Sequence, residues 1–165
     1  MRIIFNKKNT SKGFTIIEVL IACVIISTTT LALASAASTG IQLSNRSLRQ
    51  VQANLLMEEG VEAVKSIRDN NWTTISDLDL DTDYYLSFDI NTNSWTLGQT
   101  PTATIDGIFT RVIVFSIVNR DGNDDIAPSG EPDSGTKNVN VSVSWPTPSG
   151  TNSKNINFYL ANIFN

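Results

Sequence analysis

Glu18 stands at the edge of an apolar run long enough to cross a bilayer, and it constrains what the rest of the chain can be. The stretch reads Gly13-Phe14-Thr15-Ile16-Ile17-Glu18-Val19-Leu20-Ile21-Ala22, followed by nearly unbroken apolar or small residues to Ala37. No residue from Val19 to Asn45 is charged, which exceeds the roughly 20 residues that a helix needs to span the hydrocarbon core. A carboxylate at that depth costs several kcal/mol unless a partner neutralises it. The natural partner is an amine, and cutting the chain between Gly13 and Phe14 creates one. The leader before that bond carries Arg2, Lys7, Lys8 and Lys12.

Three readings compete for this segment. A secretory signal peptide fits the basic start, the apolar stretch and Ala34-Ser35-Ala36 as a small-residue cleavage site. Against it, the stretch is longer than the roughly 7–15 residues of such a core, and Glu18 interrupts it. A plain membrane anchor, with the basic leader in the cytoplasm, gives no reason for Glu18 or for Gly13-Phe14 at this spacing. Processing between Gly13 and Phe14 accounts for every feature.

The string Lys12-Gly13-Phe14-Thr15-Ile16-Ile17-Glu18-Val19-Leu20-Ile21-Ala22 closely resembles the cleavage and methylation motif of type IV prepilins and type II secretion pseudopilins. The resemblance implies that a membrane-embedded aspartic peptidase cuts after Gly13 and methylates Phe14. It also implies that Glu18, fifth from the new terminus, neutralises the terminal amine of a neighbouring subunit during assembly. The sequence departs from the family pattern little, with Ile16 and Ile17 where Leu and Ile are usual. The motif covers only the N-terminal end.

Composition narrows the function classes. The chain has 165 residues and a formal charge of −4, and loss of the four leader cations leaves a product near −8. Phosphate contacts need a basic surface, so no general nucleic-acid binding is expected. Cys23 is the single cysteine, which excludes an intramolecular disulfide. It reads as a small hydrophobe within the apolar run. There is no histidine, which removes the commonest general base and any Ser-His or Cys-His nucleophile pair. No enzyme is expected.

Beyond Ala37 the polarity rises while helical spacing continues. Leu48, Val51 and Leu55 form one stripe, and Met57, Val61 and Val64 form another on a different side of the projected helix. A helix that packs first on neighbouring subunits and later on its own sheet has this shift; a kink or break at Gly60 is the alternative. Glu62 with Lys65 or Ser66, and Lys65 with Asp69, are neighbours on a solvated face. The segment from Ala53 to Trp72 resembles the helix end of minor pilins and pseudopilins of the V/I type, and Asn70-Asn71 reads as its stop.

Thr73 to Asp83 reads as a loop. Tyr84 to Ile90 and Ser94 to Leu97 flank Asn91-Thr92-Asn93 and predict a hairpin. Ile108 to Val118 is the strongest strand, with Phe109, Ile113, Phe115 and Ile117 on one side and Ile108, Val112, Val114 and Val118 on the other. Arg111 is its main polar interruption, and both faces are expected to be buried. Val139, Val141, Val143 and Trp145 alternate with Asn140, Ser142 and Ser144, which predicts one buried and one wet face. Pro146 to Gly150 is a turn, and Ile156 to Ile163 supplies a last strand.

The expected fold is α+β and pilin-like, a long N-terminal helix packed on a small antiparallel sheet. Its parts are a leader (1–13), a transmembrane and filament-core helix (14–40), an amphipathic continuation (41–72) and a C-terminal β-sheet domain (73–165). Asp121, Asn123 and Asp125 have the alternate spacing of the first ligands of a calcium loop, but Ile126 and Pro132 stand where an EF-hand requires glycine and glutamate. Calcium is therefore one reading of this loop and a solvated acidic turn the other. No other cofactor is expected. Core packing accounts for Trp72 and Trp145 better than an adhesive surface does.

By resemblance, the partners are the prepilin peptidase, other pilin or pseudopilin subunits, an inner-membrane assembly platform and membrane lipid. The protein is expected in the bacterial inner membrane as a single-pass chain, leader cytoplasmic and C-terminal domain outside, and then in a pilus or pseudopilus. A membrane-anchored or secreted binding module, such as an adhesin, is the competing class.

Overall fold

The computed structural model describes residues 13–163, so the leader cations Arg2, Lys7, Lys8 and Lys12 lie outside the described residues. The chain divides into two compact units between Ser47 and Leu48. Helix α1 (Ile16–Asn70) runs through both. Every side chain from Ile16 to Ser47 is exposed, so the apolar surface of this stretch has no partner among the described residues.

The second unit packs the remainder of α1 on a six-stranded antiparallel sheet. After α1, Asn71 Oδ1 accepts bonds from the Thr73 N–H (3.0 Å) and hydroxyl (2.7 Å), and the chain makes a short helix, α2 (Thr73–Ser76). This stretch was expected to be a loop. The Asn side chain opens the turn, and Ile75, fully buried, holds it in the core. The strands are β1 (Asp83–Asp89), β2 (Ser94–Gly98), β3 (Thr110–Arg120), β4 (Ile126–Ala127), β5 (Glu131–Thr147) and β6 (Gly150–Ala161). Their order is β2-β1-β3-β5-β6, with β4 paired to β3.

The β1–β2 hairpin closes between Asp89 and Ser94, as the polar Asn91-Thr92-Asn93 requires. The central position of β3 also follows its apolar sequence, but only one of its faces is fully buried. Phe109, Arg111, Ile113 and Phe115 face the helix; Val112 and Val114 are half-buried, because a single helical layer covers the sheet. The expected side assignment fails at the end of the strand. Ile117 is 45% exposed and Val118 is 3% exposed. The register jumps from Ile117 opposite Lys137 to Asn119 opposite Pro132, and a bulge of this kind resets which residues face inward. β5 also begins at Glu131, so Glu131 and Asp133 lie in a strand and not in the loop.

Val139, Val141, Val143 and Trp145 are buried and their alternates are not, as the period-two pattern dictates. They meet Ala63, Val64 and Ile67 of α1 with Ile113, Phe115 and Leu160, and Ala53 with Phe109 at the other end. Tyr84 meets Phe115 edge-on at 5.9 Å, and its hydroxyl accepts from the Asp79 N–H at 2.9 Å. Each fully buried aliphatic or Phe side chain contributes about 1.5–3 kcal/mol. Trp145 packs against Phe109 at 6.0 Å and Trp72 on the main core, while Trp95 meets Phe88 edge-on at 5.1 Å.

Helix α1 does not break at Gly60. Met57, Val61 and Val64 pack on the core, whereas Leu48, Val51 and Leu55 stay exposed. The glycine is there because the sheet comes close: a Cβ at residue 60 would stand 2.9 Å from Val141 Cγ1 and 3.1 Å from Arg111 Cδ. On the solvated face Lys65 pairs with Glu62 at 2.8 Å, while Asp69, expected to pair with Lys65, is taken by Arg68 at 2.7 Å.

Gly60→Ala tests the close approach. Helix propensity alone favours alanine by about 1 kcal/mol, while overpacking costs about 1–3 kcal/mol. The variant should therefore melt lower than the parent in a thermal scan. The double variant with Val141→Ala should lose less than the sum of the two single losses.

Candidate functional site

Gly13, Phe14 and Thr15 precede the first helical residue and are exposed, so the Gly13–Phe14 peptide lies in open, non-helical chain. A Cβ on Gly13 would meet nothing within 4 Å. Thr15 and Glu18 form one half of a capping box. The Thr15 N–H and hydroxyl both approach Glu18 Oε2 at 3.4 Å, while the Thr15 carbonyl accepts from the Glu18 N–H at 3.0 Å. A Ser/Thr-x-x-Glu pattern before an apolar run carries this signal in the sequence, where only the charge of Glu18 had been weighed. The box holds the carboxylate against Thr15 at the helix start.

The apolar helix below it satisfies its own hydroxyls. Ser27 donates to the Cys23 carbonyl at 2.7 Å, Thr28 to Val24 at 3.0 Å, Thr29 to Ile25 at 2.9 Å and Thr30 to Ile26 at 2.7 Å. Polar groups bonded within the helix can enter hydrocarbon at low cost. By length and composition this helix can cross a membrane. Cys23 is an exposed free thiol on the same surface.

The acidic loop is organised by turn bonds and by one arginine. Asp121 Oδ1 accepts from the backbone N–H groups of Asn123 (2.8 Å) and Asp125 (3.1 Å), and the Asp121 N–H donates to the Asp125 carbonyl at 2.9 Å. Arg120 Nε donates to Asp133 Oδ2 at 2.7 Å, and Nη1 donates to the Asp124 carbonyl at 2.7 Å. Among the described residues no group of three or more Asp, Glu, His or Cys is arranged to hold a metal. Of Asp121, Asn123 and Asp125, the structure shows turn bonds: the Asp121 carboxylate meets the backbone N–H groups of the other two.

The Arg120 hydrogen bond is the main cause that lowers the Asp133 carboxyl below its ordinary value, helped by Thr136 and the Gly135 N–H. A depressed folded value means that the contribution is present above the unfolded pKa, about 3.9, and is lost as pH falls through the folded one. Asp133→Asn should therefore melt below the parent at neutral pH, with the gap closing in scans taken below about pH 4. Millimolar calcium should leave the melting temperature unchanged, since a ligand that binds only the folded state raises it. At the helix start, Glu18→Ala should reduce amide protection at Thr15 in hydrogen exchange, and Glu18→Gln should keep most of it.

The model of the prokaryotic N-terminal methylation motif matches residues 8–34. Neither a curated protein nor a solved structure matches the chain significantly. The matched span contains Gly13, Phe14, Thr15 and Glu18, and the chain that follows it is a long helix and an antiparallel sheet. The chain thus carries a prepilin-type N-terminal methylation motif at the head of a long helix that leads into an antiparallel sheet, an α+β pilin-like architecture.

Proposed function

We propose that this chain is a structural, non-enzymatic subunit, a minor pilin or pseudopilin of the V/I type that assembles into a type IV pilus or a type II secretion-like filament. The prepilin peptidase cuts after Gly13 and methylates the amine of Phe14. The leader lies in the cytoplasm and the C-terminal domain outside the inner membrane. The observation that carries this reading is the placement of Glu18, the fifth residue counting from Phe14, at the head of a helix whose apolar side chains are all exposed from Ile16 to Ser47. The amine of a neighbouring subunit is the charge that lets this carboxylate stay in an apolar surround. Leu48, Val51 and Leu55 extend the exposed apolar surface beyond the membrane-length run, which suits contact with neighbouring helices. The absence of histidine agrees with a role that needs no acid–base chemistry.

Intact mass and N-terminal sequencing of the protein from native membranes test the processing. A start at N-methyl Phe14 is expected; a start after Ala36, or an uncut chain in cells with active peptidase, would overturn the reading. Glu18→Ala should still insert and be found in the membrane fraction, with filament incorporation reduced to a small fraction of the parent in a shearing assay. Normal incorporation of that variant would remove Glu18 from assembly.

A further inference from the structure

Helix residues 48–70 meet the sheet through a stripe that recurs every turn: Ala53, Met57, Gly60, Val64 and Ile67. Apolar contacts are non-directional. Sliding the helix by one turn, about 5.4 Å, would lay a similar stripe on the same strands. Arg111 breaks this near-degeneracy. Its residue is 6% exposed, and Nη1 donates to the Leu56 carbonyl at 3.0 Å and lies 3.3 Å from Glu59 Oε2. Its guanidinium carbon sits 5.5 Å from the centre of the Trp95 ring, and Nε is buried without a hydrogen-bond partner. A guanidinium this enclosed stays charged, and removing its paired carboxylate would leave that charge uncompensated.

The site demands two things of the helix at once. One position must lack a Cβ, where Val141 and Arg111 approach, and the position before it must carry a carboxylate. A slide of three or four residues in either direction brings Leu56, Met57, Ala63 or Val64 to the place of Gly60. The same slides bring Leu55, Leu56, Glu62 or Ala63 to the place of Glu59. Each of the first four has a Cβ, which at that place would stand 2.9 Å from Val141 Cγ1. The one slide that restores a carboxylate, through Glu62, pushes Ala63 into the gap. Native register alone meets both demands.

We propose that Arg111, Glu59 and Gly60 form a register lock that admits a single axial position of the helix on the sheet and, through Trp95, seats the β1–β2 hairpin. The hairpin needs such a seat, because β1 pairs with β3 only through Asp83–Val114 and Tyr84–Ile113. Its next stretch runs free of that ladder beside Arg111. Setting register is a well-attested use of an enclosed charge; here Arg111 is enclosed while its partner Glu59 is 46% exposed, and Val141 adds the steric demand at Gly60. The lock also fixes Leu48, Val51 and Leu55 outward. That this face then serves neighbouring subunits rests on the assembly reading above; the lock itself does not.

Cross-linking of the full chain in detergent, in a Cys23→Ala background, tests it. Asn54 and Lys154 touch at 3.0 Å, so Asn54→Cys with Lys154→Cys reports native register to a short bismaleimide. Glu58→Cys with Lys154→Cys reports a helix displaced by one turn. With Arg111 present, only the first pair should react. In Arg111→Met with Val141→Ala, which removes both the cation and the methyl group that excludes a Cβ at residue 60, the second adduct should rise from background to a yield comparable with the first. A folded double variant, judged by circular dichroism, that forms the native adduct alone overturns the proposal. If it does not fold, Glu59→Gln with Val141→Ala decides by the same adducts: the displaced one supports the lock, and the native one alone overturns it. A failure of the assembly reading would leave these yields unchanged, since no filament is present.

Discussion

The close approach of helix backbone to sheet at Gly60 is the contact on which the C-terminal unit depends. Val141 and Arg111 occupy the space where a Cβ would project, and this lets α1 settle onto strands β3 and β5 deeply enough to bury Val64, Ile113, Phe115 and Val139 completely. Glycine in a helix interior costs about 1 kcal/mol of propensity. Several fully buried side chains at about 1.5–3 kcal/mol each outweigh that cost. Burial also pulls the Arg111 guanidinium below its ordinary pKa, and the Glu59 charge opposes the shift.

The N-terminal stretch obeys a different constraint. It has no protein partner among the described residues, so its polar groups must be answered locally. Ser27, Thr28, Thr29 and Thr30 return their hydroxyls to carbonyls three or four residues back, and the Thr15 N–H and hydroxyl turn toward Glu18. What remains unanswered is the charge of Glu18 itself and the apolar surface around it. Those two deficits make lipid, and then other subunits, the natural surroundings of a helix that carries a methylation motif.

Much of the sheet was legible because its signals are local. The Asn91-Thr92-Asn93 turn, the alternation from Val139 to Trp145 and the apolar density of Ile108 to Val118 each report on neighbours a few residues away. Arg111 was legible as a polar residue in an apolar strand, but not as the residue that meets Leu56 and Glu59, which are more than fifty positions distant. The bulge after Ile117 was hidden for the same reason: it exists only in the pairing of β3 with β5, where Arg120 draws Asp133 and Thr136 toward itself. The acidic loop carries two signals at once. Its spacing is that of cation ligands, and Asp121 also turns its carboxylate to backbone N–H groups, which the same residue types do as readily.

By itself the sequence determined the helix, its membrane-length apolar run and the N-terminal methylation motif. These are properties of spacing and composition, set by helix geometry and by the cost of charge in hydrocarbon. Only the tertiary structure decided which face of β3 is buried, where the side-chain alternation slips, why residue 60 lacks a side chain, and which carbonyl and carboxylate receive Arg111. Those outcomes depend on distances between segments far apart in the chain, and apolar periodicity does not encode the axial position at which two such segments meet.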